Sequence, residues 1–436
     1  MNPMMTHSHP PTPTPQAGRA ALKALLADKS LLPALKALQN ELGDTFDLVF
    51  PGFQAVVLSG PEASRFVLVE ARKSLIWRNP NDPVTKLLRH GLLVEDGESH
   101  DQLRRLISPS LHKRMLSVYL GKMLRNTDQV IGAWEPGRSL DMLVEMRRVA
   151  LLIIIDCLFD VDFSRDLDRL FPAILRMLSY ISPGLWLVWP SVPRIGYARA
   201  IQQVDDYLYG LIAERRERDV VGEDLLSRMV ADPGMSDDLI RDQMLTMLIA
   251  GHDTSTALLA WALGLMAKHP QVMQRAFAEV ERVVGKESPG MEHMDQLQYL
   301  GQVIDETLRL YPPIHVGNRM LSEDLDFQGF RLLAGRRLMY SIYATHHDER
   351  HWPDPESFEP ERFAPGVKAH PYTFVPFGGG PRNCIGAAFA QVEAKVVLAR
   401  ILQRFELNLL RDDFHVYMGA TLEPRPGVFM EASPRR

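Results

Sequence analysis

Ten consecutive residues near the C-terminal end, Phe377-Gly378-Gly379-Gly380-Pro381-Arg382-Asn383-Cys384-Ile385-Gly386, narrow the possibilities for this chain more than any other stretch. Three glycines precede the cysteine and a fourth follows it, so backbone there can wrap close to a large flat ligand. A helical pattern runs from the cysteine to about residue 404, which puts Cys384 at a helix opening. A thiol so placed lies near backbone N–H groups and the positive helix end, and both favour the thiolate. Arg382, two residues before it, supplies a permanent cation for a carboxylate.

A lone cysteine can be inert core, a nucleophile or a metal ligand. The chain has two cysteines, Cys157 and Cys384, so a disulfide framework is not its design and a reducing compartment fits. Cys157 sits in the apolar run Leu151-Leu152-Ile153-Ile154-Ile155-Asp156-Cys157-Leu158-Phe159 and reads as a small buried hydrophobe. Zinc would want further Cys or clustered His near Cys384, and they are absent. A nucleophile would want a base, which a sequence does not exclude. Thiolate, donors, glycine clearance and a carboxylate partner together describe a seat for iron porphyrin.

No linker, charge block or low-complexity tract splits the chain. Residues 1–18, whose first part is rich in Pro, Thr and His, are expected to be a disordered lead-in, with one globular unit over 19–436. A net charge of −5 gives no bulk argument for nucleic-acid binding. No secretory signal is visible, and the longest apolar run is too short to span a bilayer, so a soluble cytoplasmic protein without a transmembrane anchor is expected. Periodicity predicts a helix over 20–42, strands at 46–50 and 54–58, and a helical region from about 96 to 315 broken near 136–137, 183–193 and 233–234. The fold class is therefore mainly α: a large helical domain with a smaller β-rich lobe drawn from 44–60, 319–345 and 405–434. The loop 182–193 carries two tryptophans among prolines, and binding and plain packing suit it equally.

Ser236-Asp237-Asp238 starts a helix that runs to about Lys268. Inside it lies Ala250-Gly251-His252-Asp253-Thr254. A mid-helix glycine costs about 1 kcal/mol relative to Ala, so it needs a reason, either close ligand approach or close helix packing. A carboxylate and a hydroxyl at a local helix defect can hold water and pass protons, which tilts the balance toward a ligand. His252 reads as a helix-interior polar residue. Glu306 and Arg309 share a helix face, a pair worth about 0.2–0.5 kcal/mol if exposed. His100 and Arg104, four apart, share another.

The pattern Phe-x-x-Gly-x-Arg-x-Cys-x-Gly, filled by Phe377, Gly380, Arg382, Cys384 and Gly386, resembles the cytochrome P450 family. So does Ala/Gly-Gly-x-Asp/Glu-Thr, filled by Ala250, Gly251, Asp253 and Thr254. The resemblance covers the chain from about residue 30 to 430, with motifs in family order. It implies haem b between the long central helix and the cysteine-loop helix, with Cys384 as axial iron ligand, Phe377 beside the sulfur and Gly386 in the seat. It implies Arg382, His100, Arg104 and Arg319 as propionate partners. Glu306, Arg309 and Arg362 correspond to a buried triad that braces the segment before the cysteine. Thr254 is implied to steady dioxygen beside the iron and Asp253 to connect protons from solvent. Pocket walls would include Leu87, Leu88, Leu185, Trp186, Met247, Leu248, Ile314, Val316, Met418 and Leu422, with His315 and Asn318 able to orient a polar group.

The activity implied is that of a monooxygenase. It would hydroxylate or epoxidise a lipophilic small molecule such as a fatty acid, terpenoid or macrocyclic polyketide, using O2. The stretch Glu306-Thr307-Leu308-Arg309-Leu310-Tyr311-Pro312-Pro313 resembles the branch that oxidises lipids. No reductase is expected beyond the haem domain. NAD(P)H electrons would therefore arrive through a separate ferredoxin or flavodoxin and its reductase, docking at Arg105, His112, Lys113 and Arg114 on a monomer. A haem-thiolate isomerase, a peroxide-driven enzyme or a haem-containing lipophile binder are the rivals. The Asp253-Thr254 pair argues against the peroxide-driven kind, which by resemblance carries Arg-Pro there.

Overall fold

A helix of 32 residues, Asp237–Lys268, runs through the centre of the computed structural model, which describes residues 8–28, 31–50, 53–182, 194–218 and 222–435. The Ser236 hydroxyl accepts the Leu239 N–H at 3.2 Å, two aspartates fill the first turn and Lys268 the last, all complementing the helix dipole. At 1.5 Å per residue this central helix is about 48 Å long. It is apolar around most of its circumference, as a helix enclosed by protein must be. Every residue over 240–249 and 255–266 is buried. The helices Met142–Phe159, Ala198–Glu217, Gln298–Leu310 and Ala387–Arg404 pack directly on it. Lys113–Ile131 closes the layer against Met142–Phe159 and Ala387–Arg404.

Met142–Phe159 makes the most extensive contact, and it comes close at Gly251. A Cβ on Gly251 would lie 2.6 Å from Cδ1 and 2.9 Å from Cγ1 of Ile154. The central helix is unbroken at this point. The glycine thus serves helix packing on this side, and the expected local break in the helix is corrected. Cys157, on the same partner helix, is fully buried and its thiol is pushed well up by burial, as suits an inert core residue.

The strands in chain order are β1 (Thr45–Phe50), β2 (Phe53–Ser59), β3 (Leu75–Ile76), β4 (Ser139–Asp141), β5 (Val316–Leu321), β6 (Leu325–Phe327), β7 (Phe330–Leu332), β8 (Arg337–Ser341), β9 (Phe405–Leu409), β10 (His415–Met418), β11 (Leu422–Arg425) and β12 (Phe429–Pro434). One sheet has the order β1-β2-β8-β5-β3, with β2 and β8 parallel and the other pairs antiparallel. The β-rich lobe anticipated as one body divides. β9 and β12 pair instead with β4, a three-residue strand inside the helical region, and the β10–β11 hairpin packs on the central helix. Trp261 of that helix donates its indole N–H to the Leu422 carbonyl at 3.0 Å.

The N-terminal segment corrects two expectations. Residues 8–18 are ordered rather than a disordered lead-in. Ser8 bridges to Phe330 on β7, the Pro11 carbonyl accepts the Asp47 N–H at 2.8 Å, and Ala17 is 2% exposed. Thr14-Pro15 is a helix start: the Thr14 hydroxyl accepts the Ala17 N–H at 3.1 Å, and proline opens Pro15–Asp28. The single helix expected over 20–42 is two, Pro15–Asp28 and Leu31–Leu42.

Gly251→Ala gains about 1 kcal/mol of helix propensity but overpacks the Ile154 contact by about 1–3 kcal/mol. A net loss is expected in urea unfolding, largely recovered by adding Ile154→Val. Strictly additive effects in the double-mutant cycle would remove this packing role.

Candidate functional site

The cysteine loop is built by tight backbone turns. Cys384 N–H donates to the Phe377 carbonyl at 2.8 Å, and Asn383 N–H to Gly380 at 3.1 Å. Gly380, at φ +62, lies so close to the turn Phe66–Glu70 that a Cβ would sit 2.3 Å from the Leu68 carbonyl oxygen. It therefore answers to backbone conformation and protein packing, which corrects the expectation of ligand clearance there. Gly386 is different: a Cβ would meet the Cys384 sulfur alone, at 4.0 Å, so the space beside the thiol is open. The helix begins at Ala387, three residues beyond Cys384, so the thiol stands just outside the first turn. Burial pushes its pKa up, while the Gly386 N–H and Arg104 pull it down. Cys384 is nonetheless accessible. A group that is both reachable and deep in protein lines a cleft.

Four basic side chains converge near this loop. Arg104, on the helix Gly97–Ile107, clasps Asn383, donating to its carbonyl at 3.0 Å and its side-chain oxygen at 2.8 Å. Arg382 bonds the Glu95 carbonyl and pairs with Asp96 at 3.0 Å. His100 is buried, which lowers its pKa, with Arg382 and Arg104 adding to the effect and Asp101 at 2.9 Å opposing it. Arg319 is 8% exposed and donates to the Asn318 carbonyl at 2.6 Å, with its guanidinium 4.7 Å from the Trp77 ring centre. Among the described residues Arg319 has no carboxylate within ion-pair distance. A buried cation without a counter-charge is costly.

Within the central helix, Ala250 is exposed and Gly251 and Thr254 are half-buried, although their neighbours are enclosed. Thr254 Oγ1 donates back to the Ala250 carbonyl at 2.7 Å. Asp253 is buried and faces the other way, accepting the Thr421 hydroxyl at 2.9 Å. Burial first, then the Glu423 carboxylate, raises its pKa to about 6, against Arg147 and the Thr421 hydrogen bond. The acid and the alcohol are thus on different faces. His252 is buried with neither ring nitrogen hydrogen-bonded among the described residues, and burial holds its pKa down at about 3.

The structure brings Glu306, Arg309 and Arg362 together. Arg309 Nε and Nη2 donate to Glu306 at 2.7 and 2.8 Å with both side chains fully buried, and Arg362 Nε lies 3.4 Å from Glu306. Arg309 also donates to the carbonyls of His346, Pro355 and Ser357 at 2.8–3.0 Å.

The pocket residues behave less uniformly. Leu87, Leu88, Met247 and Leu248 are buried in the main core, and Leu422 is wholly buried too. For Leu88, Leu248 and Leu422, at 1% exposure or less, a wall facing open space is corrected to packed interior. Val316 packs partly on the N-terminal cluster, Met418 is half-buried and Ile314 is 44% exposed. Leu185 and Trp186, with most of the loop 182–193, lie outside the described residues.

The family model for cytochrome P450 matches residues 9–426. The chain belongs to the cytochrome P450 family. It is 32% identical over 421 residues to the putative cytochrome P450 139 of Mycobacterium tuberculosis, covering 91% of this chain and 96% of that protein. It is 30% identical over 385 residues to the cyclooctat-9-en-7-ol 5-monooxygenase of Streptomyces melanosporofaciens, covering 84% and 83%. Retinoic-acid-bound cyanobacterial CYP120A1 superposes with a TM-score of 0.87 at 26% identity over 98% of this chain and all of that one. This P450 is accordingly a haem-thiolate monooxygenase. Its family uses haem, and the residues present fit that group: an accessible thiol beside an open glycine, and a buried Arg319 lacking an anion. Among the described residues, no helix is long and apolar enough to cross a membrane, and no group of three or more His, Cys, Asp or Glu could hold a separate metal ion.

Sequence inspection missed several members of this P450 core. Glu393, on the cysteine-loop helix, is buried against the central helix, where the Ser255 hydroxyl donates to it at 2.5 Å. Burial raises its pKa to about 8. An acid within the apolar run of that helix was the available signal. Arg147, Thr421 and Glu423 gave none, because nothing local connects them to Asp253.

Arg309→Met leaves Glu306 buried with its main partner gone, and a loss of about 3–5 kcal/mol in unfolding is expected. Unchanged stability would show that the pair braces nothing. For Glu393 the raised pKa means that the folded state holds the proton more tightly than the unfolded chain. Its contribution is whole below the ordinary value of 4.5 and is lost as pH rises toward about 8. Melting temperature should therefore fall less across that window in Glu393→Gln than in the parent protein.

Proposed function

We propose that this P450 inserts one oxygen atom of O2 into a hydrocarbon-rich small molecule of the fatty-acid, terpenoid or macrocycle kind, by hydroxylation or epoxidation. The observation that carries this is the pairing of an accessible thiol, Cys384, with a more open patch at Ala250, Gly251 and Thr254 on an otherwise enclosed helix. Cyclooctat-9-en-7-ol and retinoic acid, the molecules named for two relatives, are each a hydrocarbon skeleton with one oxygenated group. Apolar lining with few polar groups suits such substrates.

Cys384 would hold the haem iron through its sulfur. Arg104, Arg319, Arg382 and His100 would hold the two propionates, which burial requires to be neutralised. When bound, the haem supplies the site of O2 reduction and C–H oxidation, and thiolate ligation favours O–O cleavage. The chain's own residues manage protons and water. The Thr254 hydroxyl, beside the opening, can take a hydrogen bond and pass a proton. Asp253, whose pKa is raised to about 6 so that a minor fraction carries a proton at neutral pH, can replenish it. Met247 and its apolar neighbours keep bulk water out. Electrons would come from a separate ferredoxin or flavodoxin with its NAD(P)H-dependent reductase, docking where Arg105, Lys113 and Arg114 are exposed, in the cytoplasm.

The carbon monoxide difference spectrum of the reduced protein should show the band of a thiolate ligand, lost in Cys384→Ala. A Cys384→Ala protein with the parent spectrum would end this account. Thr254→Ala should divert most reductant away from product, by about tenfold or more. Product formed from peroxide alone, with no dependence on reductant, would point to the peroxide-driven alternative. A binding-shift screen over fatty acids, terpenes and macrolides then assigns the substrate class.

A further inference from the structure

The polar cluster behind the central helix reaches from Asp253 to the protein surface. The Thr421 hydroxyl, just ahead of β11, donates to Asp253 at 2.9 Å. Two residues on, the Glu423 carboxylate is bonded by Arg147 from Met142–Phe159 and by Arg425, whose Nη2 and Nε lie 2.8 and 3.2 Å away. Arg147 and Glu423 are buried, whereas the Arg425 side chain is 43% exposed and lies over the Tyr417 ring of β10. Asp141, which caps Met142–Phe159, senses the charge of both arginines. His252 stands beside Arg147. Arg147 Nε and both His252 ring nitrogens are buried without a hydrogen-bond partner among the described residues. Buried polar atoms of this kind are ordinarily satisfied by ordered water.

A structural staple between β11 and the central helix would be served by the Thr421 hydrogen bond and the Trp261–Leu422 bond. It needs no second acid. Two acids in line, with an arginine at solvent and a hydroxyl between, make a path.

We propose that Glu423 is the outer acid of a proton path that enters at Arg425 and reaches the Thr254 side of the cleft through Thr421 and Asp253. This deepens, and rests on, the monooxygenase function proposed above. In one passage a solvent proton binds the Glu423 carboxylate. Glu423 gives it up through water to the Thr421 oxygen, and Thr421 releases its own hydroxyl proton to Asp253. Asp253 then passes a proton to water on the Thr254 side. No bond between heavy atoms changes, and the net result is one proton moved inward, twice per O2 reduced by two electrons from the redox partner. The negative charge of Glu423 helps hold Asp253 at about pKa 6, where it can both accept and donate. Arg147 keeps it from rising further.

The test compares Glu423→Gln, Thr421→Val and Thr421→Ser in the haem-loaded protein with surrogate redox partners. Product per reductant and its solvent deuterium isotope effect report on the path. The infrared carboxyl band of Asp253, assigned against Asp253→Asn, is titrated in parallel and needs no turnover. Glu423→Gln should move the Asp253 titration to lower pH, cut product per reductant about tenfold and enlarge the isotope effect. Thr421→Val, which leaves the Glu423 pairs with Arg147 and Arg425 intact, should shift the same band to higher pH and lose coupling likewise, with Thr421→Ser restoring both. It keeps the test decisive if Glu423→Gln does not fold. Parent-like coupling, isotope effect and infrared titration in folded variants, with a normal carbon monoxide band, would overturn the path alone. A parent protein without that band would instead bring down the monooxygenase function and the path with it.

Discussion

One fully buried guanidinium holds the part of this fold that has least to hold itself. The chain between Ile342–His346 and the cysteine loop has little regular structure, so its carbonyls have no ladder to enter. Arg309 answers for three of them, at His346, Pro355 and Ser357, while its other donors are locked on Glu306. Glu306 in turn accepts the Glu359 N–H at 2.9 Å. His346 carries the brace onward: its Nε2 accepts the Val375 N–H at 2.9 Å, two residues before Phe377. The position of Cys384 is therefore inherited from an ion pair on a different helix. That pair is worth its desolvation because every donor on the guanidinium side finds an acceptor.

The proposed cleft has two chemically distinct walls. The thiol wall gathers cations, with Arg104 clasping Asn383 and Arg319 buried with no carboxylate in ion-pair distance among the described residues. The central-helix wall is apolar apart from Thr254, and its acid is turned out of the cleft toward β11. Separating the Asp253 carboxylate from the Thr254 hydroxyl keeps a negative charge away from the reacting side while leaving its proton within reach across one helix. The tail hairpin β10–β11, which looks like trailing chain in the sequence, supplies the groups that set the state of that acid.

The glycines show how far local logic extends. Gly251 and Gly380 sit in the two most diagnostic motifs, and a ligand looks like a natural reason for each. Their missing side chains face Ile154 and the Leu68 carbonyl instead. Gly386, in the same ten-residue stretch as Gly380, is the one that opens on the thiol. A glycine announces that something comes close, and its neighbours in sequence do not say what.

What was legible in the sequence was whatever short-range chemistry specifies. The central helix was readable at both ends because its cap and its charged turns lie within a few residues of one another. The cysteine loop was readable because ten adjacent positions carry it, and Glu306 with Arg309 because a helix turn sets them side by side. Tertiary structure alone decided which face each side chain meets. Leu88 and Leu248 became interior and Ile314 stayed open, although all three are equally apolar. Asp253 found Thr421 across 168 positions, and β4 found β12 across about two-thirds of the chain. Hydrophobicity drives burial without naming a partner, so topology had to choose the partner.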